Sequence, residues 1–135
     1  MKHSPLIVTL LPGHYSVCRL DPIGAIPAWA MQGEFFSVTR TPDEVSVVAS
    51  RERVPEGIAQ DSGWRSFRVE GPLPLSAIGV LTALAAPLSQ ASVSLFAVST
   101  FDTDYLLVKE EAAERAARAL VQAGHTVDMG AAAGL

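Results

Sequence analysis

Hydrophobic and polar positions come in short β-like bursts through the first half of the chain and switch to helical spacing only in the second. Leu6 to Leu11 is a compact apolar run that stops at Pro12-Gly13, a turn signal. In His14 to Leu20, Tyr15, Val17 and Arg19 alternate with Ser16, Cys18 and Leu20, the period of a half-buried strand. Asp21-Pro22 and Gly24 break that strand, and Ile26 to Met31, with Pro27 near its start, predicts one or two helical turns. Phe35 to Thr39 and Val45 to Ala49 read as a hairpin around Thr41-Pro42-Asp43-Glu44, whose residues have turn chemistry. The polar stretch from Ser50 to Ser62 reads as the connection between two halves.

The second half has a clear order. Trp64 to Glu70 predicts a strand with Phe67 and Val69 on one face, followed by the loop Gly71-Pro72-Leu73-Pro74-Leu75. Ser76 is placed to cap a helix whose apolar stripe runs through Ile78, Leu81, Leu84 or Ala85, and Leu88, with Pro87 expected to bend or end it. Val93 to Ser99 and Tyr105 to Lys109 predict two strands, with Phe101-Asp102-Thr103-Asp104 turning between them. Glu110 to Ala123 is the clearest helix: Ala113, Ala116, Ala117, Leu120 and Val121 form its apolar face, and Gly124 stops it. Glu111 with Arg115 and Glu114 with Arg118 are favourably ordered pairs, each worth about 0.2–0.5 kcal/mol. Thr126 to Met129 can return as a short strand. Strand, helix, strand, strand, helix, strand from Trp64 onward is the ferredoxin-like βαββαβ order of an α+β fold.

A shift of 60 residues lays Phe36 on Phe96, Val38 on Val98 and Val48 on Val108, which suggests a duplication with a degenerate first copy. The expected organisation is an N-terminal module over residues 1–62, a second over 63–130, and a loose tail over 131–135.

Charge narrows the function classes. The 135 residues carry 10 Lys and Arg against 14 Asp and Glu, without the basic clusters that phosphate recognition requires, so neither nucleic acid nor an anionic membrane is an expected partner. From Gly71 to Phe101 there are 31 consecutive residues lacking Asp, Glu, Lys, Arg and His. Three prolines and several serines interrupt this run, which argues against a membrane span. No secretion signal is visible, and a cytoplasmic protein is expected. Cys18 is the only cysteine, so no internal disulfide or Cys-based zinc cage can form, and a buried structural role is expected for it. His3, His14 and His125 are scattered, and neither a metal site, a cofactor motif nor a catalytic constellation is readable.

Ala86-Pro87-Leu88, and above all Ser99-Thr100-Phe101-Asp102-Thr103-Asp104-Tyr105-Leu106-Leu107-Val108-Lys109-Glu110, resemble the tandem ACT domains of the CASTOR type. That group includes eukaryotic cytosolic arginine sensors and small bacterial amino-acid-binding ACT proteins. Phe36-Ser37-Val38-Thr39-Arg40-Thr41 looks like the matching hairpin of the first module. The resemblance implies ferredoxin-like modules that are regulatory rather than enzymatic, form a homodimer, and hold amino acids at module interfaces. It implies ligand contacts from Thr100, Phe101 and Asp104, and from Leu73, Pro74, Ser76 and Val80 in the loop and helix start. Where the sensors carry acidic residues in that loop, this chain has neutral Leu75-Ser76-Ala77, which counts against arginine itself.

The chemistry suits a free amino acid or a similar small zwitterion. A helix start supplies N–H donors for a carboxylate, Asp104 supplies one negative acceptor, Thr100 a hydroxyl, and Phe101 a stacking surface. Asp102 and Asp104 are also ordinary turn residues, and Trp29 and Trp64 read as packing residues. The alternative is a protein-interaction module on an ACT-like scaffold without a ligand site.

Overall fold

The computed structural model describes residues 5–130, so the tail expected over 131–135 lies outside the described residues. Two compact units result, and they do not follow the expected boundary. One runs from Gly13 to Trp64; the other combines the described residues up to Pro12 with those from Arg65 to Gly130. The N-terminal strand, expected in the first module, belongs to the other unit because its apolar residues pair with the end of a later strand.

The unit from Gly13 to Trp64 contains β2 (Tyr15–Leu20), β3 (Ser37–Arg40), β4 (Val45–Ser50) and the first part of β5 (Ala59–Val69), in sheet order β3-β4-β2-β5. The pairs β2–β4, β3–β4 and β2–β5 are antiparallel. Where a ferredoxin-like module has two helices, this unit has short 3-10 turns at Ala28–Met31 and Arg51–Arg53. That is the physical content of its degeneracy. The polar residues read as a connector partly join β5: Ala59, Gln60 and Asp61 pair with Arg19, Cys18 and Val17. Its small core contains Cys18, Ala30, Val45, Val47 and Ala49, with Trp29 and Ile58 packed on it. Burial raises the pKa of the Cys18 thiol and keeps it protonated at neutral pH. Trp64 is also buried, its indole N–H donating to Asp61 Oδ1 at 3.1 Å.

The other unit holds β1 (Ile7–Leu10), the end of β5, α1 (Val80–Gln90), β6 (Phe96–Ser99), β7 (Asp104–Lys109), α2 (Ala113–Gln122) and β8 (Thr126–Asp128). From β5 onward this is the expected βαββαβ order, and the fold is α+β and ferredoxin-like. The sheet order is β6-β7-β5-β1-β8, with β1 antiparallel to β5 and parallel to β8. Phe67, Val69, Val8 and Leu10 from the sheet meet Leu84 and Leu88 of α1 and Ala116 and Leu120 of α2 in one core. Each fully buried leucine there contributes about 1.5–3 kcal/mol of transfer free energy.

Three local expectations change. Helix α1 begins at Val80, not after Ser76, because Gly79 takes a left-handed conformation (φ 80°) at the N-cap and Ser76 sits in the preceding turn. The helix also continues through Pro87 to Gln90. Proline lacks the N–H that would reach the Ala83 carbonyl one turn back, and His125 Nε2 meets that carbonyl instead at 3.2 Å. In α2, Glu114 and Arg118 pair loosely at 3.9 Å, whereas the Arg115 guanidinium donates to the Ala91 and Ser92 carbonyls at the C-terminal end of α1. A cation satisfying carbonyls at a helix's negative end is better placed than one in an exposed pair. Gly124 (φ 98°) ends α2 as expected, with His125 N–H returning to the Leu120 carbonyl.

The internal repeat is present at a different offset. Arg40 faces Val45 in one hairpin and Ser99 faces Asp104 in the other, so the equivalent residues differ by 59 and not 60. The Thr41 hydroxyl donates to the Glu44 carbonyl and the Thr100 hydroxyl to that of Thr103, and each accepts the N–H returning across its turn. The 3-10 turns Arg51–Arg53 and Glu110–Ala112 share this offset. The Phe36–Phe96 identity therefore falls one position out of step, which in a strand places the two side chains on opposite faces.

Candidate functional site

The loop after β5 and the turn between β6 and β7 are tied together. Leu73 N–H donates to the Asp102 carbonyl at 2.6 Å, and the Thr103 hydroxyl donates to the Val69 carbonyl at 2.6 Å. Gly71 permits this approach: a Cβ there would stand 2.9 Å from the Asp102 oxygen and 3.2 Å from Thr103 Cβ. Only a residue without a side chain lets the two backbones meet.

The two segments enclose an open cavity of about 280 Å³. Leu73, Pro74, Leu75 and Ala77 form one wall, and Gly79 to Thr82 bring the first turn of α1 to it. Ser99, Thr100, Phe101, Thr103 and Asp104 form the facing wall. Six of the residues expected at a ligand site, Leu73, Pro74, Val80, Thr100, Phe101 and Asp104, thus border one cavity. Ser76 does not line it, because it sits in the turn before Gly79 and does not cap the helix. The Thr100 hydroxyl lies at the wall but is engaged within its own turn. Phe101 is 78% exposed and stands at the rim, outside the core.

Asp104 is the one charged residue among the lining residues. It is half-buried, and Ser99 Oγ donates to its Oδ1 at 2.5 Å. Among the described residues no Lys or Arg pairs with it. Opposite stands the start of an eleven-residue helix, whose first N–H groups have no partner within the helix and carry its positive end. An acceptor for a cation and donors for an anion therefore share one small cavity.

Sequence reasoning does not name Leu75, Ala77, Gly79, Leu81, Thr82, Ser99 and Thr103 as ligand contacts, although they line the cavity. It starts the helix too early, and the glycine after Ile78, which takes a positive φ, is the available signal for the true start. Elsewhere, no group of three His, Cys, Asp or Glu side chains able to hold a metal ion occurs among the described residues. No helix among them is long and apolar enough to cross a membrane.

Comparison with known proteins agrees with this fold. Residues 60–122 match the ACT domain family model, and residues 13–57 match a family model described as an N-terminal domain. The crystal structure of protein Atu0741 from Agobacterium tumefaciens is 38% identical, covers 94% of this chain and 95% of its own, and superposes with a TM-score of 0.89. Human CASTOR3P is 26% identical over 109 residues, 68% of this chain and 67% of that protein. The human cytosolic arginine sensor for mTORC1 subunit 1 is 31% identical over 85 residues, which are 57% of this chain. This chain spans only 26% of that sensor's length. A shared ACT domain, the CASTOR relatives and a bacterial relative matching almost end to end together assign the chain to the CASTOR-type ACT-domain proteins.

Proposed function

We propose that the protein is a non-catalytic regulator that binds a free amino acid in the cavity between the β5–α1 loop and the β6–β7 turn. The observation that carries this reading is Asp104, a half-buried carboxylate without a cationic partner among the described residues, facing a helix N-terminus across a cavity of about 280 Å³. Drug-sized ligands usually occupy about 300–1,000 Å³, so the space suits a single amino acid. The ligand's α-ammonium meets Asp104, and its α-carboxylate meets the N–H groups of the first turn of α1. The arginine-sensor relatives support a sensing role in the cytosol, and the neutral Leu75-Ser76-Ala77 loop sets this site apart from one built for arginine.

Thermal unfolding tests this directly. At about a hundred times its Kd, a bound amino acid stabilises by about 2.7 kcal/mol, which for a chain of this size raises Tm by roughly 5–10 °C. Asp104→Ala removes a charge-assisted contact worth about 1.5–3 kcal/mol, so Kd rises roughly tenfold to a hundredfold while the ligand-free Tm changes little. A panel of the twenty amino acids at millimolar concentration that moves Tm for none of them ends this reading.

The rim supports a homodimer. Leu75 and Phe101 of the cavity lining are 70% and 78% exposed and Ile78, in the same loop, is 89% exposed, a concentration of apolar surface that a second copy covers. Phe101→Asp combined with Ile78→Asp is expected to convert the dimer to monomer in sedimentation and to weaken the ligand response. Co-purification of a different stoichiometric protein, with no response to any amino acid, favours the interaction-module reading.

A further inference from the structure

We infer that the amino acid taken by this cavity has a neutral, apolar side chain, and that Asp104 is committed to its α-ammonium; this rests on the reading that the cavity binds amino acids. The charge balance of the walls carries the inference. A zwitterionic backbone brings one cation and one anion, and the cavity offers one carboxylate and one helix N-terminus, so the two are used up by the part common to all amino acids.

What remains for the side chain is Leu73, Pro74, Leu75, Ala77, Leu81 and, at the rim, Phe101, together with Thr82. The hydroxyls of Ser99, Thr100 and Thr103 also line the cavity, but they already donate to Asp104, the Thr103 carbonyl and the Val69 carbonyl. An acidic side chain adds a second anion to a wall without Lys or Arg and beside Asp104, where it is repelled and lacks a donor. A basic side chain adds a second cation with no second carboxylate to receive it. Both lose hydration without compensation, whereas a leucine, methionine or phenylalanine side chain gains from leaving water.

The repeat offset sharpens the assignment to one unit. At the 59-residue equivalence, the position of Asp104 is taken by Val45, which is buried in the core of the other unit. The other hairpin thus lacks the acceptor, and one ligand per chain follows.

Isothermal titration of the full chain with leucine, methionine, phenylalanine, arginine, lysine, aspartate and glutamate tests the side-chain class. At least one of the first three is expected to bind at least tenfold tighter than any of the four charged ones, at a stoichiometry of one per chain. A charged amino acid as the tightest ligand overturns the inference and leaves amino-acid binding standing; no binding by any of the seven or by the other amino acids removes both. The role of Asp104 is read with 4-methyl-2-oxopentanoate, the leucine analogue lacking the ammonium. The wild type is expected to bind it at least tenfold more weakly than leucine, and Asp104→Asn to bring the two within about threefold. Equal binding of both compounds by the wild type overturns the assignment of Asp104, and circular dichroism of the variant confirms that a lost response is not a lost fold.

Discussion

Replacing His125 with alanine is expected to lower the unfolding free energy by about 2–6 kcal/mol, because one buried ring satisfies two backbone groups. The ring is 7% exposed and joins three elements. Its Nδ1 accepts the Leu6 N–H at 3.1 Å just before β1, and its Nε2 faces the Ala83 carbonyl of α1 at 3.2 Å. Because Nδ1 must be an acceptor, the neutral ring carries its proton on Nε2 and donates it to Ala83. That carbonyl is the one that Pro87 leaves without a helical partner. Alanine would strand a buried donor and a buried acceptor, each costing about 1–3 kcal/mol. Urea unfolding measures the loss, and nitrogen chemical shifts of the ring check the tautomer. A loss below about 1 kcal/mol would show that water replaces the ring at both groups. Pro87→Ala in the His125→Ala background is expected to recover part of the loss, since residue 87 then supplies the missing helical N–H.

The second large effect is expected at Gly71. In Gly71→Val, the new Cβ lies 2.9 Å from the backbone oxygen of Asp102, and backbone cannot swing aside as a flexible side chain can. The loop must move away from the turn and give up the Leu73 N–H bond to the Asp102 carbonyl. Overpacking of this kind typically costs about 1–3 kcal/mol. The functional loss is expected to exceed the stability loss, because the displaced segments are the two walls of the cavity. Calorimetry should show ligand affinity falling at least a hundredfold in a protein that remains folded at 25 °C. Unchanged affinity in a folded Gly71→Val would place the ligand elsewhere.

Legibility in the sequence follows the range of the interactions involved. Element types are readable wherever one periodic face meets one core, as in α2 with Ala113, Ala116 and Leu120, or in the hairpin strands Val45–Ser50 and Asp104–Lys109. The loop-and-turn residues of the candidate site are readable because the Ser99 to Glu110 motif carries a family resemblance, and six of the seven named residues border one cavity. Ser76 misleads because a serine before an apolar run is a good cap in isolation, while Gly79, with its left-handed backbone, sets the helix start. The 60-residue repeat misleads because strands share a vocabulary of Val, Phe and Leu, and identity alone does not fix register. Hydrogen bonds of the Thr41 and Thr100 turns do fix it.

Local pattern and simple counting are thus enough for the βαββαβ order, the uncharged stretch with Asp102 and Asp104 just after it, and the absence of an internal disulfide, while the family rests on the resemblance of the Ser99 to Glu110 motif. They are not enough to place β1 in the C-terminal unit between β5 and β8, to bring His125 to the helical carbonyl that Pro87 leaves open, or to close Gly71 onto the turn. These partners lie far apart along the chain, and their pairing is selected by which backbone groups would otherwise be buried unsatisfied, a quantity that exists only once the chain has folded.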